Sequence, residues 1–329
     1  NKSMSWAPLK TVLLVLLSFC LFSENEGYAK NDNVNIFYLD HGPKEGTPVL
    51  MIQGLGAQLT YWPDELISLL QQNGYRPIVF DNRDAGLSDN FDEKGRPPFI
   101  WNYIKFYLNL PMRSIYSLED MANDGIAVMD HLQIKDFHVL GISMGGMISQ
   151  RLVADHQERV ITFTQIASMA KSPDVSTAPK GELRRLITDR SNKELSEEER
   201  INRAIRIYEI LGTEGVTINR EEFAESALAN IKRGKSKSGF SRQLQAILAD
   251  KDRYNELKNI TVPTLIIHGT IDPLIPFQEG KRTSELIANN TFIEVQKMSH
   301  LIDKPVLDSI DKILINHLDG VILEQDMIL

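Results

Sequence analysis

Ser143 stands in Gly141-Ile142-Ser143-Met144-Gly145-Gly146, with Phe137-His138-Val139-Leu140 before it and the apolar positions Met147, Ile148, Leu152 and Val153 after it. A serine hydroxyl alone is a weak nucleophile. Gly-x-Ser-x-Gly between a strand and a helix changes that, because the sharp turn lifts the hydroxyl above the sheet edge. Gly141 and Gly145 have no Cβ, so the chain can close tightly around the serine. The N-terminus of the following helix favours developing negative charge. The chemistry this spacing fits is nucleophilic attack by Ser143.

Such a serine needs a base, and the base needs an orienting acid. There are seven histidines. His138 lies inside the strand, His131 and His317 lie on helices, and His41 and His156 lie in loops or helix ends. His268 ends a strand before Gly269 and reads as a packing or turn residue. His300 follows a predicted strand through Gln296-Lys297-Met298-Ser299 and precedes the last helix, which puts it on the strand-end side with Ser143. The acid is expected between the two in chain order. Thr270-Ile271-Asp272-Pro273 follows an apolar strand, so Asp272 projects from a loop at a strand end. Asp120, Asp124 and Asp130 are expected on a helix, Asp81 and Asp84 in a turn, and Asp303 as a helix cap. The oxyanion of an acyl-transfer intermediate needs two backbone donors. The N–H of Met144 is one candidate. The N–H of Leu55, in Gln53-Gly54-Leu55-Gly56-Ala57-Gln58, is the other.

The elements that must position these groups alternate. Strands are predicted at residues 34–39, 48–52, 77–80, 137–140, 160–166, 264–267 and 291–295, as nearly continuous aliphatic runs of the kind buried parallel strands require. Helices are predicted at 61–72, from a Ser117 cap onward, and at 306–318. This alternation reads as an α/β sheet with helices on both faces. It breaks over 171–250, where helices are predicted at 182–187, 196–211, 220–232 and 240–248. That stretch is expected to be a helical lid over the carboxyl ends of the strands, with 30–170 and 251–329 forming the core. Lys232-Arg233-Gly234-Lys235-Ser236-Lys237 reads as a solvated loop. Within Asp81–Ser88 a turn is expected, with Arg83 and Asp84 pairing locally. Trp101, Tyr103, Phe106 and Tyr107 follow Pro97-Pro98 and are candidates for an entrance lining or a packed loop.

Of the 329 residues, 44 are acidic and 36 basic, a formal charge of −8 that argues against a general nucleic-acid binder. The one cysteine, Cys20, excludes a disulfide framework and a cysteine-based zinc site within the chain. No metal-ligand cluster is apparent, and the chemistry requires neither a metal nor an organic cofactor. The apolar stretch 11–22 is too short to span a bilayer comfortably. Lys10 precedes it, and Gly27-Tyr28-Ala29 has small-x-small spacing. A signal peptide over 1–29, cleaved after Ala29, and export to a periplasmic or extracellular location are therefore expected, leaving no membrane span in the mature chain. A lipoprotein at Cys20 and an uncleaved anchor are the alternatives.

The chain resembles the α/β-hydrolase superfamily over nearly its whole mature length, and within it the esterase branch that includes aclacinomycin methylesterase. The matching segments are Gln53-Gly54-Leu55-Gly56 with Tyr61-Trp62-Pro63-Asp64, then Val79-Phe80-Asp81-Asn82-Arg83-Asp84-Ala85-Gly86-Leu87-Ser88, then Gly141-Ile142-Ser143-Met144-Gly145-Gly146. The resemblance implies an α/β-hydrolase fold, Ser143, Asp272 and His300 as a triad, a helical lid, and small-molecule carboxylic ester substrates. Many relatives carry His-Gly in the first segment, where this chain has Gln53-Gly54.

The function expected is a serine hydrolase that cleaves carboxylic esters through an acyl-enzyme. Acyl transfer, perhydrolysis and C–C bond hydrolysis use the same triad. A ligand-binding protein that keeps the triad without using it is the alternative from another class.

Overall fold

The computed structural model describes residues 25–188 and 195–321. In chain order these form β1 (Asn25–Asn31), β2 (Val34–Asp40), β3 (Thr47–Ile52), α1 (Asp64–Gln72), β4 (Tyr75–Phe80), α2 (Phe99–Tyr107), α3 (Leu118–His131), β5 (Phe137–Ile142), α4 (Met144–Asp155) and β6 (Val160–Ile166). Four helices follow: α5 (Gly181–Thr188), α6 (Glu197–Leu211), α7 (Arg220–Arg233) and α8 (Gly239–Ala249). The chain closes with α9 (Tyr254–Lys258), β7 (Thr264–Gly269), α10 (Phe277–Leu286), β8 (Asn290–Val295) and α11 (Lys304–Leu318). Short 3₁₀ turns join some of these.

The eight strands make one sheet in the order β1-β2-β4-β3-β5-β6-β7-β8. Strands β3 to β8 run parallel, and β1 and β2 are added antiparallel at one edge. Alternation along each strand divides the apolar residues between two faces. Leu50, Ile52, Ile78, Phe80, Val139 and Ile266 pack with α3 and α4 through Met121, Met129, Ile148 and Leu152. Val49, Met51, Val79, Leu140, Leu265 and Ile267 pack with α1 and α11 through Leu66, Leu70, Ile310 and Leu314. Helices on both faces bury β5 and β7 along their whole lengths, which is why these strands are mostly aliphatic.

Local signals set the helix starts. The Ser117 hydroxyl accepts from Asp120 N–H, while the Asp120 carboxylate accepts from Ser117 N–H, a reciprocal cap on α3. Asp303 caps α11 by accepting from Val306 N–H.

Two expectations change. Residues 25–29, assigned above to a cleaved leader, belong to β1, which pairs with β2 from Asn25↔Asp40 to Asn31↔Val34. Ala29 is fully buried against the core. Cleavage after Ala29 would remove most of this strand, so that boundary does not fit the fold. The apolar stretch 11–22 and Cys20 lie outside the described residues. Second, the aromatic segment after Pro97-Pro98 is the helix α2, and Trp101, Tyr103 and Tyr107 are on its exposed side.

Candidate active site

Ser143 follows β5 directly and has φ 57° and ψ −123°. A non-glycine residue at such angles costs on the order of 1–3 kcal/mol and persists only where its surroundings hold it. The surroundings do so here. The Ser143 N–H donates to Ile166 O at 2.9 Å, and the Ser143 carbonyl accepts from the Ser168 hydroxyl at 2.7 Å and from Gly146 N–H at 2.9 Å. Gly145 is required by contact: a Cβ there would stand 1.9 Å from Ile52 O.

Asp272 and His300 come together. Asp272 Oδ2 lies 2.7 Å from His300 Nδ1, and both residues are buried. The other oxygen, Oδ1, accepts from Leu274 N–H at 2.8 Å and Ile275 N–H at 2.9 Å. Those two bonds stabilise the carboxylate and aim Oδ2 at the imidazole. His268 packs behind the pair. Its Nε2 lies 3.0 Å from Ile275 O and 3.6 Å from Asp272 Oδ2, and burial lowers its pKa. Ser143 after β5, Asp272 after β7 and His300 after β8 all stand at the carboxyl edge of the parallel strands. Asp303 does not compete as the acid, since its carboxylate accepts from Val306 N–H and Thr213 N–H.

The loop after β3 lies against the serine. A Cβ on Gly54 would stand 3.1 Å from Ser143 Cβ. Three N–H groups of this loop are engaged: Gly54 N–H donates to Gln53 Oε1, Gly56 N–H to Gln243 Oε1, and Ala57 N–H to Gly54 O. The N–H groups of Leu55 and Met144 have no acceptor among the described residues. Gln53 thus caps its neighbour's N–H, and its own carbonyl accepts from Asn82 Nδ2 at 3.0 Å.

The insertion grips the site at two points that sequence reasoning missed. At the end of α6, Leu211 O accepts from His300 N–H at 2.9 Å and Leu301 N–H at 3.1 Å. On α8, the buried Gln243 joins Gly56 N–H at 2.8 Å to Arg83 O at 2.7 Å. Phe240, also on α8, lies over Gly56, where a Cβ would stand 2.6 Å from its ring.

Two further expectations change around this loop. Arg83 and Asp84 do not pair with each other. Arg83 makes a two-pronged contact with Asp124, and Asp84 makes one with Arg242 of α8. The basic run 232–237 is a solvated loop only in part: Lys232, Lys235 and Lys237 are exposed, but Arg233 is not. Arg233 pairs with the buried Asp81 at 2.7 Å, while the Ser236 hydroxyl and Lys237 N–H donate to Asp92. Arg233 and Asp84 thus find their partners across the junction between insertion and core.

Residues 47–302 match the family model described as alpha/beta hydrolase fold. Rhodomycin D methylesterase from Streptomyces peucetius is 26% identical over 286 residues, covering 82% of this chain and 90% of its own. 3-Oxoadipate enol-lactonase 2 from Acinetobacter baylyi is 25% identical over 270 residues, covering 82% and 87%. Among solved structures, the enol-lactonase from Burkholderia xenovorans LB400 superposes with a TM-score of 0.68 at 21% identity, covering 89% of this chain and 100% of its own. The meta-cleavage product hydrolase from Pseudomonas fluorescens IP01 superposes at 0.66 and 22%, covering 90% and 98%. With its parallel sheet, its strained serine after β5 and a family match over most of its length, the chain belongs to the alpha/beta hydrolase fold family.

Proposed function

We propose that the chain is a carboxylic ester hydrolase in which Ser143, His300 and Asp272 form the triad. The observation that carries this reading is the buried 2.7 Å Asp272–His300 pair at the same sheet edge as the strained Ser143. Its methylesterase and enol-lactonase relatives support the reaction class.

Ser143 Oγ attacks the ester carbonyl as His300 Nε2 takes its proton. Asp272 holds the Nδ1–H of His300 and so keeps Nε2 as the acceptor before attack; it then stabilises the imidazolium. The carbonyl oxygen becomes an oxyanion that accepts from Leu55 N–H and Met144 N–H. Collapse breaks the ester C–O bond, and His300 gives its proton to the departing alcohol. Water then attacks the acyl-enzyme with His300 as base, releasing the carboxylic acid and restoring Ser143. The helical insertion acts as the lid over this centre, and its grip on the His300 and Gly56 loops is the support for that role.

Ser143→Ala should abolish fluorophosphonate labelling and lower p-nitrophenyl ester turnover at least about a thousandfold, with the fold intact by circular dichroism. Activity within tenfold of wild type would sink the assignment. We also propose export, with the leader ending before β1. Mass spectrometry of protein from the native host should then find a mature terminus upstream of Asn25; a terminus at Lys30 would contradict the β1 pairing.

A further inference from the structure

The segment around α2 inverts the usual polarity of a surface helix. Surface helices normally turn their apolar stripe inward and their polar side to water. In α2 the polar Asn102 faces the protein, donating to Gln245 Oε1 at 2.5 Å, while the apolar residues face out. Ile100 is 75% exposed, Trp101 58% and Leu108 63%, with Tyr103, Ile104, Tyr107 and Leu110 exposed beside them. The charge is inverted as well. From residue 94 to 118 there is no aspartate or glutamate, while Lys94, Arg96, Lys105 and Arg113 are present, in a chain of formal charge −8. Tryptophan and tyrosine among aliphatic side chains, flanked along the chain by lysine and arginine, are the composition of helices that lie in the interface of an anionic bilayer.

The patch adjoins the candidate site's roof. Arg184 of α5 donates to the hydroxyls of Tyr103 and Tyr107, and Asn102 meets Gln245 of α8, the helix whose Phe240 covers Gly56. A membrane against α2 would therefore lie beside the insertion that covers Ser143.

We propose that residues 94–115 dock the protein on an anionic lipid surface, with α2 lying in the interface and the basic residues on the headgroups. The site beside it takes lipophilic esters carried by that surface. The second part rests on the hydrolase reading; the docking does not.

The test uses the full chain carrying Ser143→Ala, so that vesicle binding is read without turnover. Sedimentation with vesicles of phosphatidylglycerol and phosphatidylcholine in about equal parts is compared with pure phosphatidylcholine. Binding should be at least about tenfold stronger to the anionic vesicles, and weakened about tenfold or more by Ile100→Ser with Leu108→Ser or by Lys105→Glu with Arg113→Glu. With Ser143 restored, both double variants should hydrolyse a soluble p-nitrophenyl ester at the wild-type rate, showing that they fold. Binding unchanged in both double variants would overturn the proposal by placing the lipid contact elsewhere. No vesicle binding, together with a dimer on size exclusion that the Ile100→Ser, Leu108→Ser variant dissolves, would overturn it in favour of a second copy on this face. If the parent binds anionic vesicles but wild-type Ser143 ignores fluorophosphonates, docking stands and the hydrolase reading fails.

Discussion

Asp272 and His300 are 28 residues apart and meet through loops that follow adjacent parallel strands, whereas Gly56, in the loop beside Ser143, is held by Gln243, 187 residues away. The proposed acid–base half is built by the sheet: strand register brings the two loops together, and backbone N–H groups fix the carboxylate. The proposed oxyanion loop is held by a side chain that crosses from the insertion. A half set by strand register, which the insertion touches only through the Leu211 backbone carbonyl, should tolerate side-chain change in the insertion better than a half held by one buried amide.

The sharpest break of that comparison is Asp272→Asn. It keeps the shape of the loop but removes the charge that, in the proposed triad, stabilises the imidazolium, and kcat should fall at least about a hundredfold with KM little changed. Near-normal kcat would move the acid elsewhere. Gln243→Leu tests the other half. It leaves Arg83 O, which is buried, without this partner at a cost of about 1–3 kcal/mol, and frees the more exposed Gly56 N–H at a smaller cost. We expect kcat on p-nitrophenyl esters to fall about tenfold, with a smaller change for Gln243→Glu, which retains an acceptor for Gly56 N–H. A Gln243→Leu enzyme with unchanged kcat but lower melting temperature would reduce the residue to a packing role.

The smallest effect at neutral pH concerns the scaffold. Burial pushes the imidazoles of His138 and His317 down to about 4 from 6.5. The unfolded chain therefore takes up these protons at higher pH than the folded one, so their contribution is complete above about pH 6.5 and is lost as pH falls toward 4. The loss is on the order of 3 kcal/mol for each histidine across that window. Melting temperature should drop on acidification from pH 7 to 4.5, less steeply in a His317→Gln variant. A flat profile over that range would refute the assignment.

The parallel strands were legible because each is an aliphatic run closed by a polar or glycine turn, and β6 was predicted end to end at residues 160–166. Ser143, Asp272 and His300 stood out for a related reason: each follows such a run. Strand β1 was not legible, because Asn25-Glu26-Gly27-Tyr28-Ala29-Lys30-Asn31 has little β propensity of its own and is a strand through its pairing with β2. The Arg242–Asp84 and Arg233–Asp81 pairs were hidden too, since each joins segments well over a hundred residues apart and nothing local marks the partner.

The insertion's grip on two loops at once bears on how this chain could be re-engineered. A roof joined only at its two ends could be swapped between relatives like a cassette to change substrate range. Here the end of α6 is the acceptor for the His300 loop, and one glutamine of α8 holds the Gly56 loop beside Ser143. Transplanting another roof would disturb the loops of the proposed base and the proposed oxyanion donors together. A workable chimera would have to keep the Leu211 carbonyl and Gln243 in place and draw its new specificity from the residues between them.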